Sequence, residues 1–226
     1  MTDIGEEIVT CAVCGRQSAQ TILFSTSSFG APDLDLRPPP MKRQTIEYWV
    51  QECPHCGYVA CNISEADSRT RRFLQGDGWK ALNPSKSAEG RSLSSMFLVH
   101  SEIQEAICEV EESAHAALHA SWAADDKGDQ TTARSSRRRA ADLFKRALSK
   151  GEINSDQISA VQLMVIDALR RAQCWDEALE YSRNVDARNL DQAMKAVLNF
   201  QQHLCVAHDA ECYEMSSAVN FAKPPP

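Results

Sequence analysis

Two cysteine pairs, Cys11-Ala-Val-Cys14-Gly15 and Cys53-Pro-His-Cys56-Gly57, have the residue types and spacing to place four thiolates on one tetrahedral metal ion. In each, two cysteines flank a tight turn. The glycine after the second cysteine tolerates positive φ, which lets backbone N–H groups turn toward the sulfurs, and Pro54 presets φ in the second turn. Repetition of the spacing, with the same following residue, makes a structural Zn2+ site the expectation, with Cys11, Cys14, Cys53 and Cys56 as ligands. Four thiolates leave no coordination position for water or substrate. Zinc held this way acts as a staple that contributes folding energy, not as a Lewis acid. The competing chemistry of a C-x-x-C pair is thiol–disulfide exchange, which needs one pair at a helix N-terminus on a βαβ scaffold. No such pattern surrounds either pair.

Other constellations have weaker chemistry. Asp33, Asp35 and Arg37 alternate along the polar stretch between the pairs, so an extended backbone projects them to one side, where they could take a cation or a basic peptide. The simpler reading is turn capping with an Asp-to-Arg ion pair that orders the insert. Cys108, Glu112, His115 and His119 follow one another at steps of four, three and four along one helix face. Spread over three turns, they cannot all reach one ion without ligands from another element. Cys205, His208 and Cys212 continue the apolar stripe of the last helix and read as buried thiols with a hydrogen-bonded imidazole. Cys61 follows the second pair closely, but the two C-x-x-C turns already fill a tetrahedral site.

The strongest charge feature is Arg134, Arg137, Arg138, Arg139, Lys145, Arg146 and Lys150 on one predicted helix. A solvated helix facing the glutamates of its neighbour, Glu102, Glu105, Glu109 and Glu112, accounts for it. The sharper reading gives Arg134, Arg137, Arg138 and Lys145 an acidic partner or nucleic-acid phosphates, although no aromatics interleave to stack bases. No Ser/His/Asp arrangement, phosphate-cradling glycine loop or open metal site can be assembled, so an enzyme is not expected.

The elements that must position these residues divide the chain unequally. Its 226 residues are 43% hydrophobic, enough for one good core and a small satellite unit. Short β-favouring segments at Thr21 to Phe24 and Thr45 to Val50 flank the polar insert Ser25 to Arg43. Strand, knuckle, excursion, strand, knuckle is the order of a zinc ribbon. The expected organisation is a ribbon-like unit over 1–63, a short helix around Ala66 to Leu74 with a linker over 64–95, a helical unit over 96–222 and a disordered tail over 223–226. From Phe97 onward the apolar residues recur at helical spacing. One long helix carries Ile103, Ala106, Ile107, Val110, Ala114, Ala117, Leu118 and Trp122. A second spans about Thr132 to Ser149, and Gly151 stops it. Ser155 or Asp156 caps a third around Val161, Val165 and Leu169. A fourth covers Trp175 to Val185, and a fifth carries Leu190, Val197 and Leu204. Short connections imply antiparallel pairs.

Parts of the helical half resemble tetratricopeptide hairpins. Ala140, Phe144 and Ala147-Leu148 have the small-aromatic-small spacing of that repeat's second helix, and Trp175-Asp-Glu-Ala178-Leu179 with Tyr181 resembles its start in a next unit. The whole chain is similar to an uncharacterised bacterial family that joins a cysteine-pair ribbon to tetratricopeptide-like helices. The Cys11/Cys14 knuckle, Asp33-Leu-Asp35-Leu-Arg37-Pro38 and Tyr48-Trp-Val-Gln-Glu-Cys53-Pro-His-Cys56-Gly-Tyr58 carry the likeness. It implies metal binding and a mainly α architecture with a small N-terminal β ribbon; it brings no catalytic residues.

Nine cysteines without a basic-then-apolar leader or a membrane-length apolar run predict a cytoplasmic protein whose thiols are free or metal-bound. A net charge of −7 disfavours sequence-independent nucleic-acid binding by the whole chain. The expected function is that of a zinc-binding, non-enzymatic scaffold with a protein or peptide partner. A nucleic-acid regulator using the ribbon and the helix over 134–150 is the alternative.

Overall fold

The computed structural model describes residues 1–82 and 90–222. Two long strands, β1 (Thr2–Thr10) and β2 (Gln17–Thr26), pair antiparallel from Thr2 opposite Thr26 to Thr10 opposite Gln17, and the first cysteine turn joins them. A much shorter hairpin, β3 (Gln51–Glu52) with β4 (Val59–Ala60), encloses the second cysteine turn. The strand expected over Thr45 to Val50 is instead a 3-10 turn over Arg43–Tyr48 that leads into β3. The apolar residues it offered are used differently. Ile46 and Val50 point into the core, and the Trp49 indole N–H donates to Thr45 Oγ1 at 2.9 Å, four residues back.

Two short helices follow. α1 (Ser68–Leu74) is the helix expected there, capped by the Asp67 carboxylate on the Thr70 N–H; α2 (Asp77–Leu82) was not foreseen. The linker expected next extends beyond the described residues, as does the tail over 223–226.

The single long helix expected from Phe97 to Trp122 is two helices, α3 (Leu93–Ala106) and α4 (Val110–Asp125). Cys108 breaks it, with φ at 68°, in a left-handed conformation that a helix cannot continue. The apolar stripe runs through the break because both helices bury their faces in the same core. Ser101 and Ser113, fully buried, bond hydroxyl to hydroxyl at 3.0 Å across the pair. α5 (Gln130–Lys150) begins at an Asp129 cap and ends where Gly151 takes φ of 70°. α6 (Ile158–Arg171) starts at Gln157 without a side-chain cap, so neither Ser155 nor Asp156 has the expected role. α7 (Trp175–Arg183), α8 (Gln192–Val206) and α9 (Met215–Phe221) are the last helices among the described residues, α9 unforeseen.

Each helix from α3 to α8 packs on its successor, with α6 also touching α8. Alanines 114, 117 and 120 on α4 and 133, 140 and 141 on α5 are buried, and such small side chains let two helix backbones approach closely. The protein is mainly α, with a β hairpin bearing the cysteine cluster. One buried apolar cluster runs from Cys11 through Val59, Phe97, Phe144 and Leu169 to Ala218, so the cysteine turns and the helices share a core.

Candidate metal centre

The two cysteine turns are built alike. In the first, Gly15 N–H donates to Cys11 O at 2.9 Å and Cys11 N–H to Arg16 O at 2.9 Å; in the second, Gly57 N–H donates to Cys53 O at 2.9 Å and Cys53 N–H to Tyr58 O at 2.8 Å. Gly15 and Gly57 have φ of 71° and 75°, the left-handed conformation that the spacing called for. The turns are held together by contacts across the hairpins: His55 Nε2 lies 3.0 Å from Gln17 O, Gln20 Nε2 donates to Glu52 O at 3.3 Å, and Ala12 N–H donates to Ile63 O at 2.9 Å.

All four sulfurs lie within 4.8 Å of one another. Cys11 Sγ is 3.8 Å from Cys56 Sγ, and Cys14 Sγ is 3.7 Å from Cys53 Sγ. A tetrahedral ion bonded to thiolates at about 2.3 Å requires sulfurs about 3.8 Å apart, which is the separation of these two pairs, and the remaining separations stay within 4.8 Å, so the four converge on a site of the size a metal ion needs. Burial pushes the Cys11 and Cys56 thiols up; burial raises the Cys14 thiol too, but the Arg16 N–H and the neighbouring cysteines together outweigh it and bring it down. A cation among the sulfurs supplies the charge that burial withholds. Among the described residues this is the one cluster of three or more ligating side chains close enough to share an ion. Cys61 stands apart, with its sulfur 3.6 Å from His100 Nε2.

The insert residues Asp33, Asp35 and Arg37 are brought to one place, but not by an extended backbone. Asp33 N–H bonds Arg37 O at 3.0 Å across a tight turn, and Leu36 takes φ of 63°. All three side chains are buried. Asp33 accepts from Arg43 at 2.6 Å, Arg37 pairs with Asp126 at 2.5 Å, and Asp35 accepts from the Trp122 indole at 2.8 Å and from Arg171 at 3.2 Å. Arg171 continues to Asp125 at 2.9 Å, and Asp125 also pairs with the buried Arg137. The insert is thus docked on α4, α5 and α6 by alternating charges. Burial and the nearby Asp167 push the Asp35 carboxyl up, while Arg171 and Arg137 pull it back.

The cations of α5 meet acids of the same chain. Arg139 reaches Glu102 at 3.0 Å and Glu105 at 2.6 Å, Arg146 reaches Glu105 at 2.5 Å, and Arg138 and Lys145 reach Glu177 at 2.7 and 2.6 Å. Arg137 lies beneath the surface in the insert network, and Arg134 is exposed on the same helix. The Cys108 stripe is divided by the helix break, which leaves His115 and His119 on α4 facing Trp49, Trp122 and Phe144. Cys205 is buried as expected, but α8 ends at Val206. His208 stacks on Trp175 at 5.3 Å, and Cys212 Sγ donates to Asp33 at 3.2 Å.

Sequence reasoning did not find Asp125, Asp126 and Arg171 as partners of the insert. They lie more than eighty residues from it, in helices whose periodicity marks only the apolar face, so no local signal identifies them.

A family model described as "Uncharacterized protein conserved in bacteria (DUF2225)" matches residues 4–204. No curated protein and no solved structure matches the chain. Among the described residues no helix is long and apolar enough to cross a membrane.

Proposed function

The chain belongs to this bacterial family, DUF2225, and on that premise we propose that it is a zinc-binding, non-enzymatic scaffold whose four-cysteine site clamps the N-terminal hairpin to the body of the molecule. The observation that carries this reading is the convergence of four sulfurs within 4.8 Å, two pairs of them at a tetrahedral edge length, on two turns of the same hydrogen-bonded form. Thiolate ligands favour zinc or iron over harder cations, and a closed set of four cysteines is a ligand set typical of structural zinc. A staple is the use such a closed site has: its ligands come from positions 39 and 45 residues apart, and fixing them together restricts the unfolded chain most.

The scaffold reading rests on the run of sequential helices after the clamp, which resembles the tetratricopeptide arrangement and would take a protein or peptide partner. Ion pairing within the chain supports a structural use of the basic α5 helix in preference to phosphate contacts. Elemental analysis of the freshly purified full chain, prepared without chelator, tests the premise. One equivalent of zinc per chain is expected; iron in its place, or no transition metal, overturns it.

A further inference from the structure

We infer that the cavity between the insert and α4 is a binding site for a small planar aromatic carboxylate. This site is separate from the cysteine cluster and goes beyond the scaffold reading. It occupies about 370 Å³, within the size range of small-ligand pockets, and is walled by the insert, by Trp49 ahead of the second cysteine turn, and by α4 and α6. Two motifs that the cysteine cluster leaves unused meet there: the Asp35 turn and the His115/His119 pair.

The walls are aromatic and fixed. Trp49 stands nearly perpendicular to His119 at 5.3 Å between centroids and to Trp122 at 6.4 Å, while His119 leans on Trp122 at 4.8 Å. Both indole N–H groups are already engaged, Trp49 with Thr45 and Trp122 with Asp35, so the rings are held in place and present π surface to an occupant. Leu118 and Met164 complete an apolar slot for one or two flat rings.

The charges select the sign. Asp35 is the acid in the wall, but its oxygens are taken by Trp122, Arg171 and the Arg37 N–H. The Arg37 guanidinium also lies 5.9 Å from the Trp122 centroid, over the ring. A cationic ligand would find no free counter-charge and one aromatic face already covered. Lys42 lines the cavity, exposed, and among the described residues no acid pairs with its ammonium. His119 and His115 line it too, the latter with Nε2 4.0 Å from Glu111, and each imidazole has an N–H donor to offer an anion. Ammonium, two N–H donors and flat apolar walls are the complement of a ring bearing a carboxylate.

Isothermal titration of the metal-loaded full chain with naphthoate, naphthamide and naphthylmethylammonium tests the site. Naphthoate is expected to bind saturably with one equivalent, at least about tenfold more tightly than the other two. Lys42→Gln, at an exposed side chain, is expected to weaken naphthoate about tenfold, the scale of a charge-assisted hydrogen bond. His119→Leu is expected to weaken it as well, while Lys195→Gln, exposed on α8, leaves it unchanged. Absence of saturable binding up to millimolar naphthoate, equal binding of the amide or ammonium, or full affinity in Lys42→Gln would overturn the proposal. If His119→Leu does not fold, the Lys42 variant and the ligand series decide. Because these readouts use a metal-loaded chain, they are distinguishable from failure of the zinc site.

Discussion

Asp35 and Arg171, 136 residues apart in the chain, meet at 3.2 Å in an interior where their side chains are 1% and 9% exposed. Arg171 bridges that carboxylate to Asp125, which holds Arg137 in turn, so the charges are satisfied only as a set. Such a network is costly to desolvate and costlier to leave incomplete.

Arg171→Met is therefore expected to destabilise the protein by about 3 kcal/mol or more, because it leaves the buried Asp35 carboxylate without its ion-pair partner and weakens the hold on Asp125, which keeps Arg137. Urea unfolding measures it. Adding Asp35→Leu to that variant should recover part of the loss, and no recovery would mean that the two residues do not act through one another.

Cys53→Ser removes a thiolate from the most enclosed corner of the cluster. Bound metal is expected to fall well below one equivalent, with far-ultraviolet circular dichroism of the helices largely kept. Near-stoichiometric metal in this variant would remove Cys53 from the ligand set.

Nothing lies within 4 Å of where a Cβ would sit on Gly15, so Gly15→Ala meets no neighbour. Its φ of 71° alone penalises the substitution, by about 1 kcal/mol. Competition with a chromogenic chelator should show metal held roughly five- to tenfold less tightly, with folding otherwise unchanged. Unaltered metal affinity would show that the turn is not preformed by its glycine.

His119 and His100 are kept neutral. Burial, with His115 and His100 nearby, brings His119 down to about 3, and burial brings His100 down to about 4. Unfolded, both titrate near 6.5, so between about pH 6.5 and pH 4 the unfolded chain binds protons that the native chain refuses. Stability should rise with pH through that window and be lost as pH falls. In urea titrations His119→Leu should flatten the dependence by roughly 1.4 kcal/mol per pH unit, one proton's worth, and an unchanged slope would place the pH sensitivity elsewhere.

The internal pairing of Arg138, Arg139, Lys145 and Arg146 carries an expectation of its own. A fluorescently labelled oligonucleotide should show no measurable affinity at physiological salt. Binding that weakens steeply along a salt series and disappears in Arg134→Gln/Arg138→Gln would favour the regulator reading instead.

The cysteine cluster was readable because its information is local. Cys-x-x-Cys-Gly encodes a turn, the turn aims its own sulfurs, and two copies suffice to specify a tetrahedral set. Most of the helices were readable for a similar reason, since apolar periodicity records which face is buried. Periodicity does not record whether the chain is continuous, which is why α3 and α4 read as one helix. Cys108 interrupts the backbone without interrupting the stripe. A run of β-favouring residues at Thr45 to Val50 was likewise overruled by the core that Ile46 and Val50 enter.

What the amino-acid order determined by itself was the class of the fold and the cysteine turns, both products of interactions among near neighbours. The use of Asp33, Asp35 and Arg37 was decided by tertiary structure alone. Their partners Arg43, Trp122, Asp126 and Arg171 come mostly from distant helices, and a buried charge has no identity as clamp, ligand or bystander until its counter-charge is in place.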